Sequence, residues 1–163
     1  MMMNKRRFVV LTAAASLTGL AVVGGIQAQT PRSDNAHLRK LSGEKVVFRV
    51  GDKAFTVELY DNPTAADLLP RLPLTVRANN YAGYDEKVIR LPVALSMEGA
   101  PPGDDPLIPE VGYYQPGQWI ALYYGPIGYW SGKVPLGKIA ASIEELRTIP
   151  DDAPVTIEAA KDG

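Results

Sequence analysis

The chain has 163 residues, with 17 Lys and Arg against 18 Asp and Glu, one histidine and no cysteine. The missing cysteine excludes a disulfide framework, a thiol nucleophile, a Cys-ligated metal and a lipoprotein anchor, so packing alone must stabilise the fold. The slightly acidic balance argues against nucleic-acid binding, which needs a basic stripe.

Lys5, Arg6 and Arg7 precede an apolar run over residues 8–26, and Ile26-Gln27-Ala28 follows. A basic start, an apolar run and a small residue at the cut are the layout of a secretory signal. Residues 1–28 are therefore expected to be removed, leaving 14 basic and 18 acidic residues, a net charge of −4. The run is nearly long enough to span a bilayer, but Thr12, Ser16, Thr18, Gly19, Gly24 and Gly25 weaken it as a permanent anchor. The expectation is a periplasmic or secreted protein with no membrane contact after cleavage.

Residues 29–43 are polar and broken by Pro31 and Gly43, and read as a flexible lead-in to a domain over residues 44–160. Residues 46–60 predict a hairpin around Gly51-Asp52. A two-residue turn of type II′ sets Phe48 against Phe55 and Val46 against Val57, all on one face. Asp61 or Asn62 caps a short helix with Pro63 in its first turn, and Pro70 and Pro73 limit it to about two turns. Leu74 and Val76 begin a strand that runs into the turn-rich corner at residues 79–83; residues 87–91 form another, with Val88 and Arg90 sharing a face.

Residues 98–109 hold four prolines and two glycines, so they form a loop. Asp104 and Asp105 within it invite a calcium reading. Calcium needs six or more oxygens, and no EF-hand spacing or second acidic cluster accompanies the pair, so it is read as a solvated turn. No metal or cofactor is expected.

Residues 111–124 predict a second hairpin around Pro116-Gly117, pairing Tyr114 with Trp119, Tyr113 with Ile120, Gly112 with Ala121 and Val111 with Leu122. Alternation gives one face Val111, Tyr113, Ile120, Leu122 and Tyr124, a core set. The other face carries Glu110, Gly112, Tyr114, Trp119, Ala121 and Tyr123, where small residues between aromatic ones suggest the floor of a groove. A short strand over residues 136–140, a capping box at Ser142-Ile143-Glu144-Glu145 opening a second helix, and a last strand over residues 155–159 complete the domain. The fold class is mostly β: many short strands and two short helices fit a small closed barrel, although periodicity does not separate that from a sandwich.

Several local patterns occur together and in a fixed order. They are TVELYDNPT at residues 56–64, Leu-Pro at 91–92, Glu-Gly-Ala-Pro at 98–101, the double tyrosine at 113–114, Val-Pro-Leu-Gly at 134–137, and the capped helix followed by Val-Thr-Ile-Glu. In this combination the chain resembles a small bacterial cyclophilin-like family, which implies a cyclophilin-like β-barrel and no established reaction. True cyclophilins that isomerise prolyl bonds use an arginine within a pocket shaped by phenylalanine, glutamine, tryptophan and histidine. The arginine-plus-aromatic motif and the Phe-x-x-Gln-Gly run are absent here, and His37, the one histidine, falls in the lead-in. Arg77 and Arg90 are the arginines left to replace that group.

Two candidate sites remain. Glu98 stands at the edge of the rigid Pro/Gly loop, either as a reactive acid or as a buried carboxylate that satisfies loop amides. Tyr114, Trp119, Tyr123, Tyr129 and Trp130 either fill a core or present a stacking surface, with Lys133 nearby as an exposed residue or as a charge for an acidic ligand. The expected function is binding of a small molecule or peptide segment in an aromatic groove. A peptidyl-prolyl isomerase with a non-standard site and a cell-envelope interaction module that uses a strand edge are the alternatives.

Overall fold

A computed structural model describes residues 35–161; the expected signal over residues 1–28 and the start of the lead-in lie outside them. Strand β1 (Leu41–Val50) turns through Gly51-Asp52 into β2 (Lys53–Tyr60). Phe48 pairs with Phe55 and Val46 with Val57, the register that the two-residue turn demands. Gly51 has a φ of 61° while Asp52 does not enter the left-handed region, as type II′ geometry requires. One face of this hairpin is thereby committed to the barrel interior.

Asn62 Oδ1 accepts from Ala65 N at 2.9 Å and Pro63 fills the first turn, which starts helix α1 (Pro63–Ala66). The helix is shorter than two turns. Pro70 brings no N–H to an α-helical ladder, and the chain passes instead into a 3-10 turn, Leu69–Arg71. Next come β3 (Leu74–Asn80), β4 (Glu86–Arg90), the two-residue β5 (Gly103–Asp104), β6 (Glu110–Tyr114), β7 (Trp119–Tyr123) and the two-residue β8 (Trp130–Ser131). Strand β9 (Lys133–Ile139), helix α2 (Ile143–Arg147) and β10 (Ala153–Ala159) close the domain. The capping box is present: Ser142 Oγ accepts from Glu145 N, and Glu145 Oε2 accepts from Ser142 N.

Eight strands form a closed barrel in the order β1-β10-β3-β4-β7-β6-β9-β2, each neighbour antiparallel, and closure leaves no free edge. Its interior takes Val46, Phe48, Val57, Ile89, Val111, Tyr113, Ile120, Leu122, Leu136 and Ile157, with Leu68 and Leu146 brought in from the helical segments. Hairpin β6–β7 pairs in the expected register, so Tyr113 points inward, where its hydroxyl accepts from Leu95 N at 3.1 Å. Tyr124 packs against the same core while only partly buried.

The outer face of this hairpin is also buried. Val88, Trp119, Ala121 and Tyr123 make a second apolar cluster, with Tyr81, Ile108, Tyr114 and Ile127 packed on it. Two long connections cross over the barrel wall here, and the ribbon of β5 and β8 ties them together outside the barrel. The floor expected to be an open groove is therefore roofed.

The structure departs from two local expectations. Asp104 is no solvated turn residue: its side chain is 2% exposed and it accepts from Arg39 and Asn35. Residues 36–39 form a 3-10 turn with Leu38 buried, and β1 already starts at Leu41, so this end of the lead-in is held against the domain.

Candidate functional site

The covered wall is built from cross-strand rows. Register sets Arg90, Trp119, Tyr114 and Lys133 side by side in one row, Val88, Ala121, Gly112 and Pro135 in the next, and Glu86, Tyr123 and Glu110 in the third. The middle row is small at its centre, and that lets Tyr123 lie flat. A Cβ on Gly112 would come within 2.8 Å of the Tyr123 ring, so any side chain there would displace it. With the ring down over the middle row, Lys133 Nζ sits 4.8 Å from the Tyr123 ring centre and 4.4 Å from that of Trp130.

Glu86 meets the same amine. Its Oε2 lies 3.8 Å from Lys133 Nζ, with the two side chains 0% and 1% exposed. That separation is beyond hydrogen-bond range. Both Glu86 oxygens, Lys133 Nζ and the Tyr123 hydroxyl are buried with no hydrogen-bond partner. Burial pushes the Glu86 carboxyl above its usual range, only partly opposed by Lys133. Burial likewise draws the Lys133 amine below its usual value, against the pull of Glu86, Asp104 and Asp105. Both groups are thus shifted toward their neutral forms.

A second buried charge cluster adjoins this one and is built differently. Arg39 Nε donates to Glu110 Oε1 at 2.7 Å, and its Nη2 donates to Glu110 Oε2 at 2.9 Å and Asp104 Oδ2 at 2.7 Å. Tyr60 OH donates to Glu110 Oε1 at 2.8 Å, Leu107 N to Glu110 Oε2 at 3.0 Å, and Asn35 Nδ2 to Asp104 Oδ1 at 2.7 Å. Burial lowers the Arg39 pKa, but the bonds to Glu110 and Asp104 outweigh it and keep the guanidinium charged.

Above the amine lies a group of touching rings. Trp130 makes edge contacts with Tyr84 at 4.9 Å and Tyr114 at 5.4 Å; Tyr81 stacks on Tyr84 at 5.3 Å; Trp119 joins Tyr81 at 5.2 Å and Tyr114 at 5.0 Å. Tyr114, Trp119, Tyr123 and Trp130 therefore do converge. Within that set Trp119 and Tyr123 are buried, and the ring surface open to solvent comes from Tyr81, Tyr84, Tyr114 and Trp130. Tyr129 is half exposed and its ring packs on Gly103 instead.

Glu98 is exposed, and its backbone N donates to Ser96 Oγ. The carboxylates that satisfy loop amides are Asp67, accepting from Ser96 N at 2.7 Å, and Glu110, accepting from Leu107 N. Lys133, expected at the surface in one reading, is the most deeply buried lysine of the described residues. Tyr81, Tyr84 and Glu86 fall in a segment, residues 81–87, that shares in the family resemblance, yet none of them was expected at the site. Carrying the alternation of Arg90 and Val88 back by two more residues places Glu86 on the aromatic face, and that was the available signal.

A cavity of about 520 Å³ opens elsewhere, among Val50, Lys53, Glu145, Ile149, Asp151 and Ala153. Three of its four acids are already engaged: Glu145 caps α2, Asp151 accepts from Asn80 N, and Asp152 at its rim pairs with Arg77. The unpartnered buried polar atoms all lie away from it. The aromatic wall is the better candidate.

The model of the cyclophilin-like family matches residues 48–158, nearly all of the barrel. The chain belongs to the cyclophilin-like family. The solution structure of a hypothetical protein from Archaeoglobus fulgidus is similar at a TM-score of 0.60 and 25% identity, covering 74% of this chain and 98% of that one. No curated protein matches. In this cyclophilin-like barrel Arg77 is exposed and bound to Asp152, while Arg90 lays its guanidinium 4.9 Å from the Trp119 ring centre and donates to Gly117 O. His37 lies exposed on the 3-10 turn.

Proposed function

We propose that this cyclophilin-like barrel is an exported protein that binds a small molecule or peptide segment at the aromatic wall. The observation that carries the reading is the joined ring surface of Tyr81, Tyr84, Tyr114 and Trp130, partly open to solvent above buried polar atoms without partners. Flat ring faces take apolar or aromatic ligand groups, and a few inward polar groups orient them. Export is supported by the basic and apolar start of the chain.

The test is a thermal-shift screen with aromatic fragments and short proline-containing peptides. A ligand that binds only the folded state raises the melting temperature, and the rise is expected to vanish in Tyr114→Ala and Trp130→Ala. If both variants fold normally and keep every response, the wall is not the binding surface.

A further inference from the structure

The amine of Lys133 stands apart from the other lysines. Lys87, also buried, donates to Asn80 Oδ1 at 2.5 Å, whereas Lys133 Nζ has two aromatic faces and a carboxylate beyond hydrogen-bond reach. A lysine desolvated between rings is held toward the free amine, which is the nucleophilic form. A protonated carboxyl next to it is a proton donor. Cover over the pair is complete but comes in part from outside the barrel sheet: Trp130 belongs to β8, which pairs only with the two residues of β5 and not with the barrel. Ring contacts, that ribbon and the backbone bonds of Gly132 to Pro102 and Gln115 keep Trp130 over Nζ.

We propose that Lys133 is a carbonyl-condensing amine, with Glu86 as its proton partner, for a neutral aldehyde or ketone bearing an aromatic or apolar body. The inference rests on the aromatic wall as the binding surface. In the step, Nζ adds to the carbonyl carbon, the new C–N bond forms, and the carbonyl π pair moves to oxygen, which takes a proton from the nitrogen. Glu86 then gives its proton to that hydroxyl, which leaves as water. The product is an iminium on Lys133 facing the Glu86 carboxylate, with no oxidant or reductant consumed. The charges nearby choose the substrate class. With Glu86 protonated and Lys133 as the free amine, the carboxylates of Asp104 and Glu110 outnumber the one cation of that cluster, Arg39, so a keto acid is disfavoured and a neutral carbonyl compound fits.

Benzaldehyde with sodium cyanoborohydride tests this on the full chain, with peptide mapping of the benzylated lysine over time at neutral pH. Lys133 is expected to be labelled first, roughly tenfold faster than exposed Lys53 or Lys138. Glu86→Gln, which keeps the shape, is expected to slow Lys133 labelling by a similar factor while circular dichroism stays unchanged. Labelling of surface lysines at least as fast as Lys133 in the wild-type protein overturns the proposal. An unchanged Lys133 rate in a folded Glu86→Gln protein overturns the role of Glu86. Benzyl alcohol, which lacks the carbonyl, serves as the parallel thermal-shift probe. A benzyl alcohol shift without Lys133 labelling sinks the amine chemistry alone; selective labelling without that shift supports the amine and sinks the stacking surface alone.

Discussion

Two buried charge clusters share one wall of the barrel and differ in a single respect. Around Arg39, every charged oxygen of Asp104 and Glu110 receives a donor, so the cost of burying those ions is offset by short, charge-assisted bonds. Around Lys133, the same kind of side chains lie as deep and make none. A satisfied cluster clamps: it joins the segment before β1 to the long loop before β6. An unsatisfied one costs stability where it stands, and the binding reading proposed above draws on that cost.

Breaking the clamp is expected to have the largest effect. Arg39→Leu strands two buried carboxylates, and loss of one partner from a buried ion cluster costs about 3–5 kcal/mol. Urea denaturation at neutral pH measures it; a loss within experimental error would make the two clusters equivalent after all. The unsatisfied pair should respond in the opposite sense. Replacing both members by apolar side chains, Glu86→Met with Lys133→Met, removes two desolvated polar groups without partners and is expected to leave stability unchanged or raise it by about 1–4 kcal/mol. The same denaturation series decides it, and clear destabilisation would mean that the pair is a clamp too.

Asp67 supplies the smallest effect and a reference outside both clusters. Burial raises its pKa, but the bonds from Ser96 N and Arg71 outweigh that and hold the carboxyl below its ordinary value. A depressed carboxyl contributes stability that is fully present above the unfolded pKa, about 3.9 for Asp, and is lost as pH falls through the lower folded value. Hydrogen exchange at the Ser96 amide is therefore expected to speed up below about pH 4. In Asp67→Asn that acid step should disappear; its persistence would assign the step to another group.

Much of the barrel was legible because its information is local. Gly51 set one hairpin register, the alternation from Val111 to Leu122 set the other, and Ser142 with Glu145 announced α2. The same alternation found the face of Tyr114, Trp119 and Tyr123. It missed Glu86 and Lys133 because the strands that carry them begin earlier than expected, at Glu86 rather than residue 87 and at Lys133 rather than residue 136. A strand buried on both faces shows no apolar and polar alternation to mark its start. Arg39 finds Glu110 across 71 positions and Ser96 finds Asp67 across 29, partnerships set by barrel closure and invisible to any local pattern. Glu98 drew notice through its motif, yet Asp67 performs the loop-holding task, since satisfying an amide depends on where a carboxylate arrives in space.

The ribbon of β5 and β8 lashes one covering connection to the other while leaving both outside the barrel sheet. The roof of the aromatic wall is consequently a cassette. Its β5–β8 pairing adds no rung to the barrel ladder, and Asp104 bonded to Arg39 is the peg that fastens it to the frame.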